Sequence, residues 1–509
     1  MRDERVHGPP RDLRHTGDQS RRQRLHARRV RIRNGERDER TVHGVRGHWQ
    51  RSAGAVRLRA VVLLALPLAA GGAFFWGPTP EALREPAVVA SHDGVLQLTL
   101  TAARGATQVG GRRVIAQVYN GSYLPPTLRV QPGDVVRLRL VNALDETTNL
   151  HVHGLAVSPR DTSDNAFLHI APGRAQGYEI RIPASHPPGL YWYHPHPHGR
   201  SDEQVRNGMS GALIVEGLLD PFPALRDVHE HVLLLKDAQI GGGKVVPRGI
   251  GDDAIRTVNG MVNPTITLRP GETQLWRIGN VGADLYYLLT LDGHRFYEVA
   301  RDGHRLARLV PKQQLLLEPG AREEVLVQAA GPGTYALRTA GFDTGPQGNH
   351  YPGAVLATVR VKGGAVPPLA LPKRLLPVAD LRRRITDRRT IVFSESADGD
   401  TFFVDGRTFD PNRIDTRVKL GAIEEWTIRN ESGELHDFHI HQTHFQVTEV
   451  NGVRQQFDGY QDIVNVPVHG EVKVIIPFTD PNIVGRFVYH CHLLSHEDKG
   501  MMATIEVMP

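Results

Sequence analysis

Three segments of the chain can be laid over one another without gaps: QPGDVVRLRLVN (131–142), RPGETQLWRIGN (269–280) and KLGAIEEWTIRN (419–430). In each, a glycine precedes an asparagine by nine positions: Gly133 to Asn142, Gly271 to Asn280, Gly421 to Asn430. A second anchor follows each copy, in GLYWYHPH (189–196), GTYALRTA (333–340) and GRFVYHCH (485–492). A repeat of this size constrains the fold more than any other feature, because every copy is one structural unit that buries the same face. We read three modules, residues 88–217, 222–363 and 372–509, the number that a length of 509 residues also suggests. Within them the apolar segments are short and often alternate, as in Leu96–Leu100, Val135–Val141 and Leu315–Leu317, with glycine and proline between them and no long helical period. That pattern predicts an all-β chain of sandwiches or barrels.

The modules differ in their histidines. Nine residues after the asparagine stand His151 in the first module, Leu289 in the second and His439 in the third; two residues further on stand His153, Leu291 and His441. Five and seven residues after the glycine of the second anchor stand His194 and His196, Arg338 and Ala340, and His490 and His492. Modules one and three thus supply four histidines each in matching positions, and the middle module supplies none. Single His-x-His pairs arise by chance in a chain with 26 histidines, but four clusters in register across a repeat do not. Residues i and i+2 of a strand share a face, so each pair directs two imidazoles at one site.

The ligand types indicate the metal. The only cysteine, Cys491, with His436, His496 and Met501, makes a thiolate, two-imidazole and thioether set, which is that of a blue copper electron-transfer site with a weak axial methionine. Zinc would call for more cysteine or carboxylate and has no redox chemistry. His490 and His492 flank Cys491 and point to the other face of its strand, which connects the thiolate to a second metal site through a few covalent bonds.

These motifs, HxHG, HxH, HxxHxH and HCHxxxHxxxxM in this order, resemble those of the multicopper oxidases, laccase-like enzymes, over about residues 90–509. The resemblance implies three cupredoxin-like Greek-key β-sandwich domains, the second without copper ligands, and four copper ions. His436, Cys491, His496 and Met501 would hold the type 1 copper, and His151 and His439 the type 2 copper. His153, His194, His196, His441, His490 and His492 would hold the type 3 pair. Glu497 resembles the family's proton-donor position, and Asp164 is our choice for a second catalytic carboxyl, with Asp161 as its competitor. His198 and His444 fall outside the ligand pattern. The family usually has proline after the first histidine of the third motif, where this chain has Asp437. Buried, that charge would favour the oxidised type 1 metal; exposed, it would contact a cationic substrate.

The formal charge of +6 would suggest an anionic partner, but residues 1–59 hold 17 arginines against 7 acidic residues, which leaves the remainder of the chain net negative. Residues 1–58 have too few large apolar side chains to offset their ordering entropy and read as a disordered extension, or as sequence upstream of the true start. They lack the aromatic interleaving of a nucleic-acid binder, so no nucleic-acid partner is expected. Residues 59–78, basic and then apolar from Ala60 to Trp76, have the plan of a signal peptide, with an uncleaved membrane anchor as the second reading. Either places the protein outside the cytoplasm.

The expected function is one-electron oxidation of a small reducing substrate, phenolic or aromatic amine, coupled to four-electron reduction of dioxygen to water. Oxidation of cuprous or other metal ions is the alternative; the six methionines form no soft-ligand cluster that would gather cuprous ions. A nitrite reductase-like arrangement is disfavoured because Pro195 fills the cysteine's slot in module one. A copper-free scaffold is disfavoured because all twelve ligand positions are filled.

Overall fold

The repeated asparagines make the same hydrogen bonds in all three modules. A computed structural model describes residues 81–246 and 254–509; the extension at 1–58 and the apolar run at 59–78 lie outside the described residues. Asn142 is buried, and its Nδ2 donates to the carbonyls of Glu146 (2.8 Å) and Ile170 (2.7 Å) while its Oδ1 accepts from the Leu144 N–H (2.9 Å). Asn280 donates to Leu285 O and Leu317 O at 2.8 and 3.2 Å and accepts from Gly282 N–H. Asn430 donates to Glu434 O and Val466 O at 2.7 and 3.2 Å and accepts from Ser432 N–H. Each side chain ties the end of one strand to the loop that follows. That loop leads into the strands His151–His153, Tyr287–Leu291 and His436–Ile440. The repeated glycines 133, 271 and 421 have φ of +97°, +80° and +93°, a region that glycine enters without steric cost.

Around these latches the chain forms three pairs of sheets, one of six and one of five strands in each pair. In each six-stranded sheet the latch strand lies parallel to an earlier strand: Val135–Ala143 beside Val95–Val109, Thr273–Asn280 beside His229–Ala238, and Ala422–Asn430 beside Asp387–Glu395. In each five-stranded sheet the strand of the second anchor lies antiparallel to the strand after the latch, so His151 faces His194 and His439 faces His490. In the middle module Leu289 faces Thr339 rather than Arg338, and Arg338 pairs with Asp292 at the surface. The fold is all-β, as the alternation predicts, with two short α-helices, Ser201–Asn207 and Leu494–Asp498, among the described residues. No described helix is long and apolar enough to cross a membrane.

One hairpin joins a different sheet from its sequence neighbours. Ile240–Gly241 and Lys244–Val245 follow a strand of the second pair of sheets, yet Lys244 pairs with Ile115 of the first. The cause is apolar: Val245 is buried with Val109, Val114 and Val118. The first and second pairs of sheets also meet through Leu190, Trp192 and Ile214 against Val232, Leu234 and Val281, and the two helices converge where Val205 and Leu494 bury Ala283.

Because Asn280 lies in the module whose ligand positions carry no histidine, it tests the latch free of metal binding. Asn280→Ala strands the buried carbonyls of Leu285 and Leu317, and the expected cost is about 2 kcal/mol or more. A urea-unfolding midpoint equal to that of the wild type would show that the latch is not structural.

Candidate metal centre

Cys491 ends the strand Gly485–Cys491, His436 begins the strand His436–Ile440, and His496 lies on the helix Leu494–Asp498. The Cys491 Sγ is 3.6 Å from His436 Nδ1 and 3.8 Å from His496 Nδ1, and the two nitrogens are 3.2 Å apart. Metal–nitrogen and metal–sulfur bonds of about 2.0 and 2.3 Å in a trigonal plane would set donors about 3.5 Å apart, so the triangle fits one ion. The tautomers agree. The Ser432 hydroxyl donates to Asn430 Oδ1 and so accepts from His436 Nε2–H at 2.6 Å, which leaves the Nδ1 lone pair directed at the thiol. His496 turns Nε2 toward the Glu434 carboxylate at 3.2 Å and likewise presents Nδ1. Phe402 stacks on His496 at 4.0 Å. Met501 is buried, and its backbone carbonyl accepts from Cys491 N–H. Burial pushes the Cys491 thiol well up, so a bound cation is what would make it a thiolate here.

The other eight histidines meet between the strands of modules one and three. His194 donates Nδ1–H to Pro195 O, His490 to Cys491 O and His439 to Asp462 O, at 2.9, 2.9 and 2.7 Å. His151 Nδ1 lies 2.9 Å from the Asp164 carboxylate. Each of these four therefore has an Nε2 lone pair, and on His151, His194 and His439 it has no partner although it is buried. His490 Nε2 lies 3.2 Å from His441 Nε2 and 3.3 Å from His196 Nε2, and His492 Nε2 lies 3.2 Å from His153 Nδ1. Burial, and then neighbouring imidazoles, hold these rings well below the usual histidine range, His194 down to about 3, so they are neutral and able to bind a metal at pH 7. Convergent groups of donors, such as His196, His441 and His490, can each hold an ion. One detail departs from strand periodicity. His196 lies beyond the strand Gly189–His194, and Pro195 and the turn after it, rather than pleating, bring its ring to the site.

Asp164 is buried against the cluster. Besides His151 it accepts from Val152 N–H at 3.0 Å and from the Gln442 side chain; burial pushes its carboxyl up to about 8. Its competitor Asp161 is exposed. Glu497 is fully buried 3.3 Å from His490 Nδ1 and 3.6 Å from His196 Nε2, and burial, then Asp498, holds it well above the carboxylate range. The Asp498 carboxylate accepts from the N–H groups of Gly199, Ser201 and Asp202, which fixes this helix to module one. Asp437 takes the buried alternative, but not as the anion that reading assumed: Tyr286 donates to it at 2.6 Å, and burial, then Glu318, drives its carboxyl well up. His198 is exposed beside Phe409, and His444 packs on His304 and Tyr460; neither joins the converging donors.

Several residues that sequence reasoning missed surround the centre. A cavity of about 380 Å³ opens on His496 and is lined by Glu434, Glu395, Asp398, Gln347, Phe402 and Lys499 among others. Glu434 stands two residues before His436, the one sequence signal that could have found it. Asp462 and Arg322, which lie behind His153 and His439, belong to no motif, and only the fold brings them there.

The comparisons agree with this geometry. Sequence profiles described as multicopper oxidase match residues 102–219, 235–364 and 384–509. The chain is 28% identical to "Multicopper oxidase mco" of Staphylococcus haemolyticus (strain JCSC1435) over 82% of this chain and 89% of that protein. It is 30% identical to "Cell division protein FtsP" of Rahnella sp. (strain Y9602) over 87% of this chain and 96% of that one. Among solved structures it is similar to a multicopper oxidase from Campylobacter jejuni described as a metallo-oxidase, with TM-score 0.75 and 27% identity, covering 85% of this chain and 96% of that one. It is also similar to a laccase-like multicopper oxidase from Ochrobactrum sp. with oxidase activity towards lignin model compounds, with TM-score 0.72 and 28% identity, covering 84% of this chain and all of that one. With matching profiles over most of its length and the donor sets in place, the chain belongs to the multicopper oxidase family.

Proposed function

We propose that this copper oxidoreductase takes single electrons from small organic donors, phenols and aromatic amines, beside His496 and delivers four of them to dioxygen at the eight-histidine cluster. The observation that carries the reading is the donor inventory: ten histidines, Cys491 and Met501, all buried, with imidazole and thiol donors that converge in groups able to hold a metal ion. His436, Cys491, His496 and Met501 would hold a type 1 ion. His151 and His439 would hold a type 2 ion, and His153, His194, His196, His441, His490 and His492 a type 3 pair. Bound there, the ions supply one-electron exchange at the thiolate and multi-electron reduction of dioxygen at the cluster. The protein's own part is geometric and protonic. Cys491 lies between His490 and His492 in one strand, so a single backbone segment joins the two sites. Dioxygen reduction to two waters consumes four protons, and the carboxyls of Glu497 and Asp164, both raised by burial, lie within reach of cluster imidazoles to pass them inward. A narrow cavity of about 170 Å³ lined by Phe167, Phe409, Val488 and Met502 opens beside His196 and suits a small apolar gas.

The cavity over His496 supports the donor class. Its volume holds a single aromatic ring, Phe402 gives it an aromatic wall, and Glu434 and Glu395 supply acceptors for the N–H or O–H of an amine or phenol. The same carboxylates would also suit a reduced metal ion, the chemistry named for the Campylobacter relative. The absence of a methionine cluster in the sequence disfavours cuprous ion. A role in cell division, as named for the Rahnella relative, does not by itself account for the convergent lone pairs. The apolar run after Arg59 supports export to the periplasm or beyond.

Loading with copper should give a blue protein that consumes oxygen with dimethoxyphenol and with aromatic amines without further copper. Faster uptake with cuprous ion than with either donor would turn the reading to metal oxidation. Burial, then Glu395, pushes the Glu434 carboxyl up to about 8, so above that pH, where it is ionised, Glu434→Gln should lower kcat/KM for aromatic amines by about fivefold to tenfold, the effect of one nearby charge at intermediate dielectric, while an anionic donor such as ferrocyanide is unaffected or faster. Equal losses for both donors would remove Glu434 from substrate binding.

Cys491→Ser should abolish the blue absorption and turnover and leave circular dichroism unchanged, because no β core depends on the thiolate; turnover within tenfold of wild type would refute the assignment. Glu497→Gln should slow reoxidation by dioxygen by about 10²-fold or more, with anaerobic reduction of the blue site unaltered in stopped flow. If neither step changes, Glu497 is not part of the mechanism.

A further inference from the structure

The middle module contributes no histidine, yet one of its turns touches the cluster. Gly320 has φ of +87°, and a Cβ there would come within 3.0 Å of the His492 imidazole and 2.6 Å of Ile463. Two residues on, Arg322 is fully buried and forms a bidentate pair with Asp462 of module three, both contacts at 2.7 Å. Its Nε donates to Leu190 O of module one and its Nη1 to Gly320 O. Asp302, also of the middle module, accepts from the backbone N–H groups of Arg322, Asp462 and Ile463. Asp462 is the point where this framework meets the histidines: its Oδ1 is 3.3 Å from His153 Nε2, and its backbone carbonyl accepts from His439 Nδ1–H.

His153 is the exception among the cluster rings. The rings of His151, His194, His439 and His490 are each held at Nδ1 and present Nε2. His153 is held at Nε2 and turns Nδ1 to the site, 3.2 Å from His492 Nε2. The glycine of the HxHG motif belongs to the same contact. Gly154 has φ of +88°, and a Cβ there would lie 2.3 Å from Arg322 Nη2 and 2.7 Å from Asp462 Oδ2. Buried ion pairs of this kind are often no more stabilising than well-packed apolar residues, so stability alone does not account for this one.

We propose that the Gly320–Arg322 turn of the middle module is a positioning element for the histidine cluster, acting through Asp462 to fix the tautomer and aim of His153 and His439 and through Gly320 to seat His492. The proposal rests on the reading of these rings as copper ligands. The middle module keeps its place in the enzyme by holding ligands that its neighbours supply.

The test uses the full chain, copper-loaded, as wild type, Arg322→Met and Asp462→Asn. The nearly isosteric Asp462→Asn keeps an acceptor for His153 but loses the bidentate pair, and so serves if Arg322→Met fails to fold. Both variants should keep the blue absorption and its rate of reduction by the donor, while cluster copper and dioxygen reduction fall by about 10- to 100-fold and the paramagnetic signal of the type 2 ion changes shape. Full cluster copper and spectra with dioxygen reduction within twofold of wild type in either folded variant would overturn the proposal. So would a parallel loss of the blue site in Asp462→Asn, which would assign the network to general stability. The wild-type chain, measured alongside, reports on the copper reading itself, so the two failures are distinguishable.

Discussion

Eight buried imidazoles with lone pairs turned toward one another are costly to hold together. A buried polar atom without a partner costs about 1–3 kcal/mol, and at His151, His194 and His439 three such nitrogens face one space. Water could satisfy some of them, but the partners of the opposite ring nitrogens are backbone carbonyls and a carboxylate, which accept from the ring N–H. Those acceptors fix the protons on the outer nitrogens and so force the inner ones to seek an electrophile. The seam between modules one and three is therefore built around cations, and the surrounding sheets are arranged to make its geometry rigid before any ion arrives.

That rigidity begins with a residue that never touches the site. Asn142, Asn280 and Asn430 close the same loop in each module, and in two of the three that loop releases the chain into a histidine-bearing strand at a fixed height. In the middle module the same latch leads to Leu289 and Leu291, which pack inward with Phe296 and Leu317. The repeat thus separates two properties that a single domain would confound: the latch maintains the fold, and the residues nine and eleven positions on decide whether a face binds metal or packs.

The histidines, the cysteine and Glu497 were legible in the sequence because each sits at a fixed distance from a repeat anchor or from another ligand, and strand or short-helix geometry turns such a distance into a position. Asp164 was legible more weakly, through its closeness to the first motif. Arg322, Asp302 and Asp462 were not, because their partners lie on three different modules, many of them 20 to 309 residues away, and no local period records such a contact. Asp437 shows the converse limit. The sequence places a carboxyl next to His436 but does not give its charge, which depends on Tyr286 and Glu318 arriving from the middle module.

The buried carboxyls around the centre divide by what compensates them. Asp462 faces a guanidinium with two hydrogen bonds and can remain an anion while it holds His153. Among the described residues Glu497 and Asp437 have no lysine or arginine side chain against them, and burial raises both carboxyls. For Glu497, beside cluster rings, a retained proton is one that dioxygen reduction can use. For Asp437, next to His436, a retained proton would remove a charge that otherwise stabilises the oxidised form of an ion bound there. Placing the acid under a tyrosine hydroxyl, away from any arginine, therefore spares the proposed electron acceptor its full electrostatic cost. Burial, then Glu318, pushes the Asp437 carboxyl well up, so the residue that stands in place of the family's usual proline brings less negative charge beside His436 than its type alone suggests.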